Sequence, residues 1–154
     1  TPRGALKILN NLEKQGMLKS RKLGKAVFYK INFNDVYVCK IIETLLIAEA
    51  REKASMWLEE FKDIFNDAQI RNPKEANDID ILFVFEKDKY KNISKFIIEK
   101  NKILVKKIHN IPQTIDDLKN SLKNNKAIQD AIETGYVLCG YDKIVEVIKD
   151  VTSV

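Results

Sequence analysis

Asp78 and Asp80 stand one residue apart at the start of an apolar run, "EANDIDILFVF", residues 76–86. On a strand, residues i and i+2 project from the same face, so the two carboxylates would stand together with Ile79 turned into the core. Carboxylates side by side repel, and each resists ionising without a compensating charge. A divalent cation supplies that charge, and oxygen-only ligands favour Mg²⁺ or Mn²⁺. Such a cation can hold triphosphate oxygens and activate a hydroxyl for in-line attack on the α-phosphorus. The plainer alternative is a polar strand edge whose acids face water, and a bare Asp-x-Asp does not decide between the two. Other chemistries are thin. The single histidine, His109, excludes most His-based metal clusters and offers no Ser/His/Asp pattern to pursue. Cys39 and Cys139 lie a hundred positions apart without C-x-x-C spacing, which suits a reducing cytoplasm better than a disulfide framework or a zinc site.

A second candidate site is electrostatic. The net charge of +5 is unevenly spread. Residues 1–34 hold eight basic side chains (Arg3, Lys7, Lys14, Lys19, Arg21, Lys22, Lys25, Lys30) against one acid, Glu13, a balance of +7 that leaves −2 for the rest. Such asymmetry points one end of the chain at a polyanion, with a merely solvated face as the alternative.

The elements that position these residues follow from periodicity. With 154 residues, 45% hydrophobic and 32% charged, the chain has the composition of a folded globular protein. Its most apolar stretch, "VYVCKIIETLLIAEA", is interrupted by Lys40 and Glu43, so no membrane span is expected. Ala5, Ile8, Leu9 and Leu12 predict a helix over 3–15, with Gly16 as a left-handed C-terminal cap. "MLKSRKLGKAVFYKIN" predicts a hairpin turning at Leu23–Gly24. Residues 35–66, capped by Asn34, predict a long or once-kinked helical connector in which Ala54, Trp57, Leu58, Phe61, Ile64 and Phe65 form a core stripe. A broader stripe, Ile41, Ile42, Leu45, Leu46 and Ala48, also suits a homodimer seam. Beyond Pro73 the pattern predicts a strand at "DIDILFVF", a helix over 89–101 and a strand at "KILVKKIH". A helix capped by Thr114, another ending at Gly135, a short strand "YVLCG" and a last helix "YDKIVEVIKDV" complete it.

Helix, "GML" and basic hairpin together resemble the second half of a winged helix-turn-helix domain over residues 1–34. The resemblance implies DNA as partner, with Lys19, Arg21, Lys22 and Lys25 along phosphates and Arg3 and Lys7 approaching the groove. It also implies that the first helices of such a domain precede Thr1. "NPKEANDIDILFVFE" with the closing "AIETGYVLCGYDKIVEVI" resembles the minimal nucleotidyltransferases of the polymerase-beta-like superfamily, over about residues 54–150. That resemblance implies metal binding and catalysis by Asp78 and Asp80, an NTP substrate, and a domain over 67–154. The family's Gly-Ser phosphate loop and the strand before it are missing, so a segment is expected to belong between Ile70 and Arg71. Its usual third carboxylate is missing too, since "KILVKKIHN" offers Lys106 and Lys107 and no acid. The expected fold class is α+β: partial winged helix, helical connector, then a small mixed sheet with helices. The expected function is NMP transfer from an NTP to an acceptor hydroxyl; the competing readings are a DNA-binding regulator whose domain senses nucleotide or is inactive, and an antitoxin-like partner protein.

Overall fold

The structure, a computed structural model, describes residues 1–61, 68–70, 79–86 and 89–152. It is a mixed α+β chain that divides into two compact units, Thr1–Ile42 and Glu43–Val154.

Local signals build the first unit. Helix α1 (Pro2–Lys14) starts where the Thr1 hydroxyl accepts the Gly4 N–H, with Pro2 in the first turn, where its missing N–H leaves no bond unmade. It stops in a full Schellman motif: Met17 N–H donates to Leu12 O and Gly16 N–H to Glu13 O, both at 2.9 Å. Gly16 takes φ +76°, which a side chain would disfavour. Strands β1 (Leu18–Leu23) and β2 (Ala26–Ile31) pair antiparallel from Leu18↔Ile31 to Leu23↔Ala26. That register leaves Gly24–Lys25 as a two-residue turn, and Gly24 at φ +60° in its first position fits type II′. Helix α2 (Val36–Lys53) is capped by Asp35, whose Oδ1 accepts the Tyr37 N–H at 2.9 Å. Asn34, the expected cap, lies one residue too early because the helix starts at Val36.

The expected kink in the connector falls at Ala54, between α2 and α3 (Ser55–Phe61). Trp57 and Ala54 are buried in the core, as the apolar stripe predicted. Ile64 and Phe65 lie outside the described residues.

The second unit is a four-stranded sheet in the order β5-β4-β3-β6, where β3 is Ala68–Ile70, β4 Ile79–Val84, β5 Ile108–Gln113 and β6 Tyr136–Val137. Strand β3 runs antiparallel to β4 and β6, while β4 and β5 are parallel and joined through α4 (Tyr90–Ile103). Helices α5 (Ile115–Asn124), α6 (Lys126–Thr134) and α7 (Tyr141–Thr152) follow. Ile79, Ile81 and Phe83 point from β4 into a core with Ile93, Phe96 and Ile97 of α4, Trp57 of α3, Ile108 and Leu138. Leu82, on the opposite face of β4, is buried as well. Burial on both faces is why this strand reads as a continuous apolar run rather than an alternation.

Two expectations need correction. The strand expected to be missing ahead of Asp78 and Asp80 is present: Ala68–Ile70 forms β3, paired antiparallel to β4. The strand placed over "KILVKKIH" is instead β5, beginning at Ile108. Nothing in residues 99–103 breaks a helix, so α4 runs on to Ile103. The turn after it is held by Lys107 Nζ, which donates to the carbonyls of Asn101 (2.6 Å) and Leu104 (2.9 Å). The Asn101 side chain brackets Ile108 N–H and C=O at 2.7 and 3.1 Å and starts the strand. Pro112 is tolerated inside β5 because that strand is at the sheet edge, where a missing N–H need break no ladder. Among the described residues, no helix is long and apolar enough to cross a membrane.

Candidate functional site

In the first unit, spacing sorts the basic residues into two surfaces. Arg3, Lys7 and Lys14, at intervals of four and seven, share one stripe of α1, away from Ala5, Ile8 and Leu12. In the hairpin, Ser20 and Tyr29 face α1: Ser20 Oγ donates to the Glu13 carboxylate, and Tyr29 OH donates to Asn10 Oδ1 at 2.7 Å. Residues of opposite parity face away, which puts Lys19, Arg21, Phe28 and Lys30 together on the outer face. Lys22 belongs to the α1-facing side, and Lys25 is in the turn. All the named basic side chains are exposed.

Sequence reasoning did not place two members of this outer face, Lys30 and Phe28. Lys30 is directly opposite Lys19, a like-charge pairing that costs stability unless an anion sits on it. Phe28, 57% exposed, lies opposite Arg21 on the same face. Register was the missing signal, since each lysine is unremarkable in its own strand.

In the second unit, Asp80 is the second residue of β4 and sits where the doubly covered strand emerges from its core. Its side chain is 36% exposed. Asp78 lies outside the described residues, as does Arg71, so neither the paired-carboxylate geometry nor the Ile70–Arg71 junction belongs to the described structure. Opposite Asp80 on β5 stands His109, not Lys106 or Lys107, which precede the strand. His109 Nδ1 and Asp80 Oδ1 are 3.9 Å apart, and the His109 side chain is 66% exposed. Among the described residues no group of three His, Cys, Asp or Glu side chains is placed to hold a metal. The potential ligands that come near one another are one carboxylate oxygen and one imidazole nitrogen, and imidazole is a ligand for transition dications rather than for Mg²⁺.

Beyond the far end of the same strands, Phe85, Tyr90, Pro112, Gln113, Thr114 and Asp117 line a shallow cavity of about 320 Å³. Phe85 and Tyr90 are in ring contact at 5.9 Å between centroids. Gln113 Nε2 donates to Ser121 Oγ at 3.0 Å, while its Oε1 is buried without a hydrogen-bond partner.

No protein-family model, no curated protein and no solved structure matches the chain.

Proposed function

We propose that the second unit is a minimal nucleotidyltransferase-like domain that binds a divalent cation and an NTP, and that the helix–hairpin of the first unit binds duplex DNA. The observation that carries the nucleotide reading is Asp80, partly exposed at the start of a mostly buried strand that pairs antiparallel with β3. A carboxylate there is poorly explained by packing and well explained by a cation. Within this reading Asp78 and Asp80 hold the metal, and the acceptor hydroxyl attacks the α-phosphorus as pyrophosphate leaves. A cation held there would neutralise charge on the phosphates and lower the pKa of the attacking hydroxyl.

The reading is tested with Mg·NTP and Mn·NTP. Metal and nucleotide together should raise the melting temperature of the full chain by mass action, and Asp80→Asn should abolish that shift without unfolding the protein. Labelled-nucleotide transfer, lost in the same variant, marks an enzyme. A shift without transfer marks a nucleotide-sensing regulator, a second reading favoured by His109, and not an acid, standing opposite Asp80 on β5. No shift in the wild-type chain rejects both.

DNA binding is supported by the pairing of Lys19 with Lys30, and it would draw on Arg3 and Lys7 as well. Each phosphate contact removed should flatten the plot of log affinity against log salt by about 0.9. Lys19→Ala and Lys30→Ala should each do so, and identical slopes would return this face to solvent. A homodimer through α2, where Leu45 is exposed, would present two such units to one duplex.

A further inference from the structure

Parallel pairing of β4 with β5 sets Ile79 opposite Ile108 and therefore Asp80 opposite His109. Both side chains leave the same face of the sheet, each from the second residue of its strand. Their separation, 3.9 Å between Oδ1 and Nδ1, is too long for a direct hydrogen bond. Two ligands each about 2.1 Å from one tetrahedral cation stand about 3.4 Å apart, so closing the pair by about half an ångström would bring both onto one ion. Both groups are reachable from solvent. His109 is the only histidine in the chain.

We propose that Asp80 and His109 together form a binding site for a first-row transition dication, with the His109 imidazole supplying the cross-strand ligand. The inference rests on the nucleotidyltransferase reading for the use made of the cation, while the binding itself stands on the Asp80–His109 geometry. Nitrogen as a ligand changes which cation is held. Mg²⁺ sheds water reluctantly and prefers oxygen donors, whereas imidazole suits Zn²⁺ and its neighbours, whose affinities for mixed nitrogen and oxygen sites exceed that of Mn²⁺. A metal-dependent reaction at this site would then run with a transition dication in preference to Mg²⁺.

Zn²⁺ alone is the probe, titrated into the full chain. The single histidine gives one set of imidazole C–H resonances, so its response is assigned without ambiguity. Saturating Zn²⁺ should move those signals. His109→Ala should weaken Zn²⁺ binding about tenfold or more while leaving Mg²⁺ binding unchanged, and Asp80→Asn should weaken both. Imidazole resonances that do not move overturn the inference. So does a His109→Ala chain that holds Zn²⁺ as tightly as the parent, through Cys39, Cys139 or elsewhere. If Asp80→Asn abolishes the Mg·NTP shift while His109→Ala leaves Zn²⁺ binding unchanged, this inference falls and the nucleotidyltransferase reading stands. If Zn²⁺ binds through His109 and no nucleotide binds in any metal, the inference stands and that reading falls.

Discussion

The two units of this chain are held together in different ways. In Thr1–Ile42, only Val38 is buried, no residue of α1 is, and Ile8 on its apolar side is 62% exposed. What fixes the helix and hairpin is polar: the local Thr1 cap and Schellman motif at Gly16, and the longer-range Tyr29–Asn10 bond and Asn32, which donates through Nδ2 to Gly16 O at 2.8 Å. In Glu43–Val154 the reverse holds. A core of β4, α3 and α4 side chains buries Phe83 and Ile81 completely, and the caps decorate helices that packing already fixes. Hydrogen bonds of about 1 kcal/mol each can shape a surface but supply little cooperative stability, whereas burial supplies most of it. The candidate sites follow the same division: a broad charged face on the first unit, and one carboxylate at the edge of a packed core on the second.

Removing core volume from the second unit should break the comparison most visibly. Phe83→Ala deletes a fully buried ring at the centre of β4 and should cost about 3–5 kcal/mol. Chemical denaturation measures the loss. Amide exchange of the β1–β2 hairpin should hardly change, because the core that holds Phe83 includes no hairpin residue. A hairpin whose exchange accelerates in step with global unfolding would mean that the two units share one cooperative transition.

How far these features were legible depended on how local they were. Gly16, Thr114 and Gly135 each end or begin a helix through bonds within a few residues. Thr114 and Asp117, for example, form a reciprocal capping box. The Trp57 stripe was legible for the same reason, since period alone identifies a buried face. Strand β3 was not, because three residues are too few to show alternation, and its identity comes from pairing with β4 and β6. Strand β5 was displaced because α4 persists to Ile103 and because Pro112 reads as a breaker until the strand is known to be an edge. Asp80 was found from its neighbours in sequence, but His109 was dismissed as solitary. Only the β4–β5 register brings the two together, and no local pattern encodes a parallel register across a helical crossover. The outer hairpin face was only half read in the same manner: Lys19 and Arg21 were named, but Lys30, eleven residues from Lys19, and Phe28 were not placed beside them.

Gly16→Ala should have an intermediate effect and sharpens the claim that the first unit rests on local geometry. A Cβ at Gly16 would meet nothing closer than Asp35 Oδ2 at 4.0 Å, so no clash accompanies the change. The cost is conformational, about 1–2 kcal/mol for an L-residue held at φ +76°. It should appear as faster amide exchange at Gly16, Met17 and Asn32, with the second unit's denaturation midpoint unchanged. An unchanged exchange pattern would show that the Schellman motif is not what sets the hairpin on α1.

The smallest effect is expected from Tyr29→Phe, and it separates positioning from charge in DNA binding. Tyr29 OH reaches across from β2 to Asn10 on α1, and Asn10 lies in the same stripe as Arg3, Lys7 and Lys14. Losing one exposed hydrogen bond should cost at most about 1 kcal/mol of stability. The ring itself is retained, so hairpin packing changes little. Because no charge is removed, the slope of log affinity against log salt should equal that of the wild-type chain. Affinity at any one salt concentration should nevertheless fall, by up to about fivefold on the same 1 kcal/mol, since the outer hairpin face and the α1 stripe are no longer held in fixed register. A fall in the slope would mean that the substitution displaces a phosphate contact outright. No fall in affinity would mean that helix and hairpin meet the duplex independently, and that the Tyr29–Asn10 bond serves only the unit's own geometry.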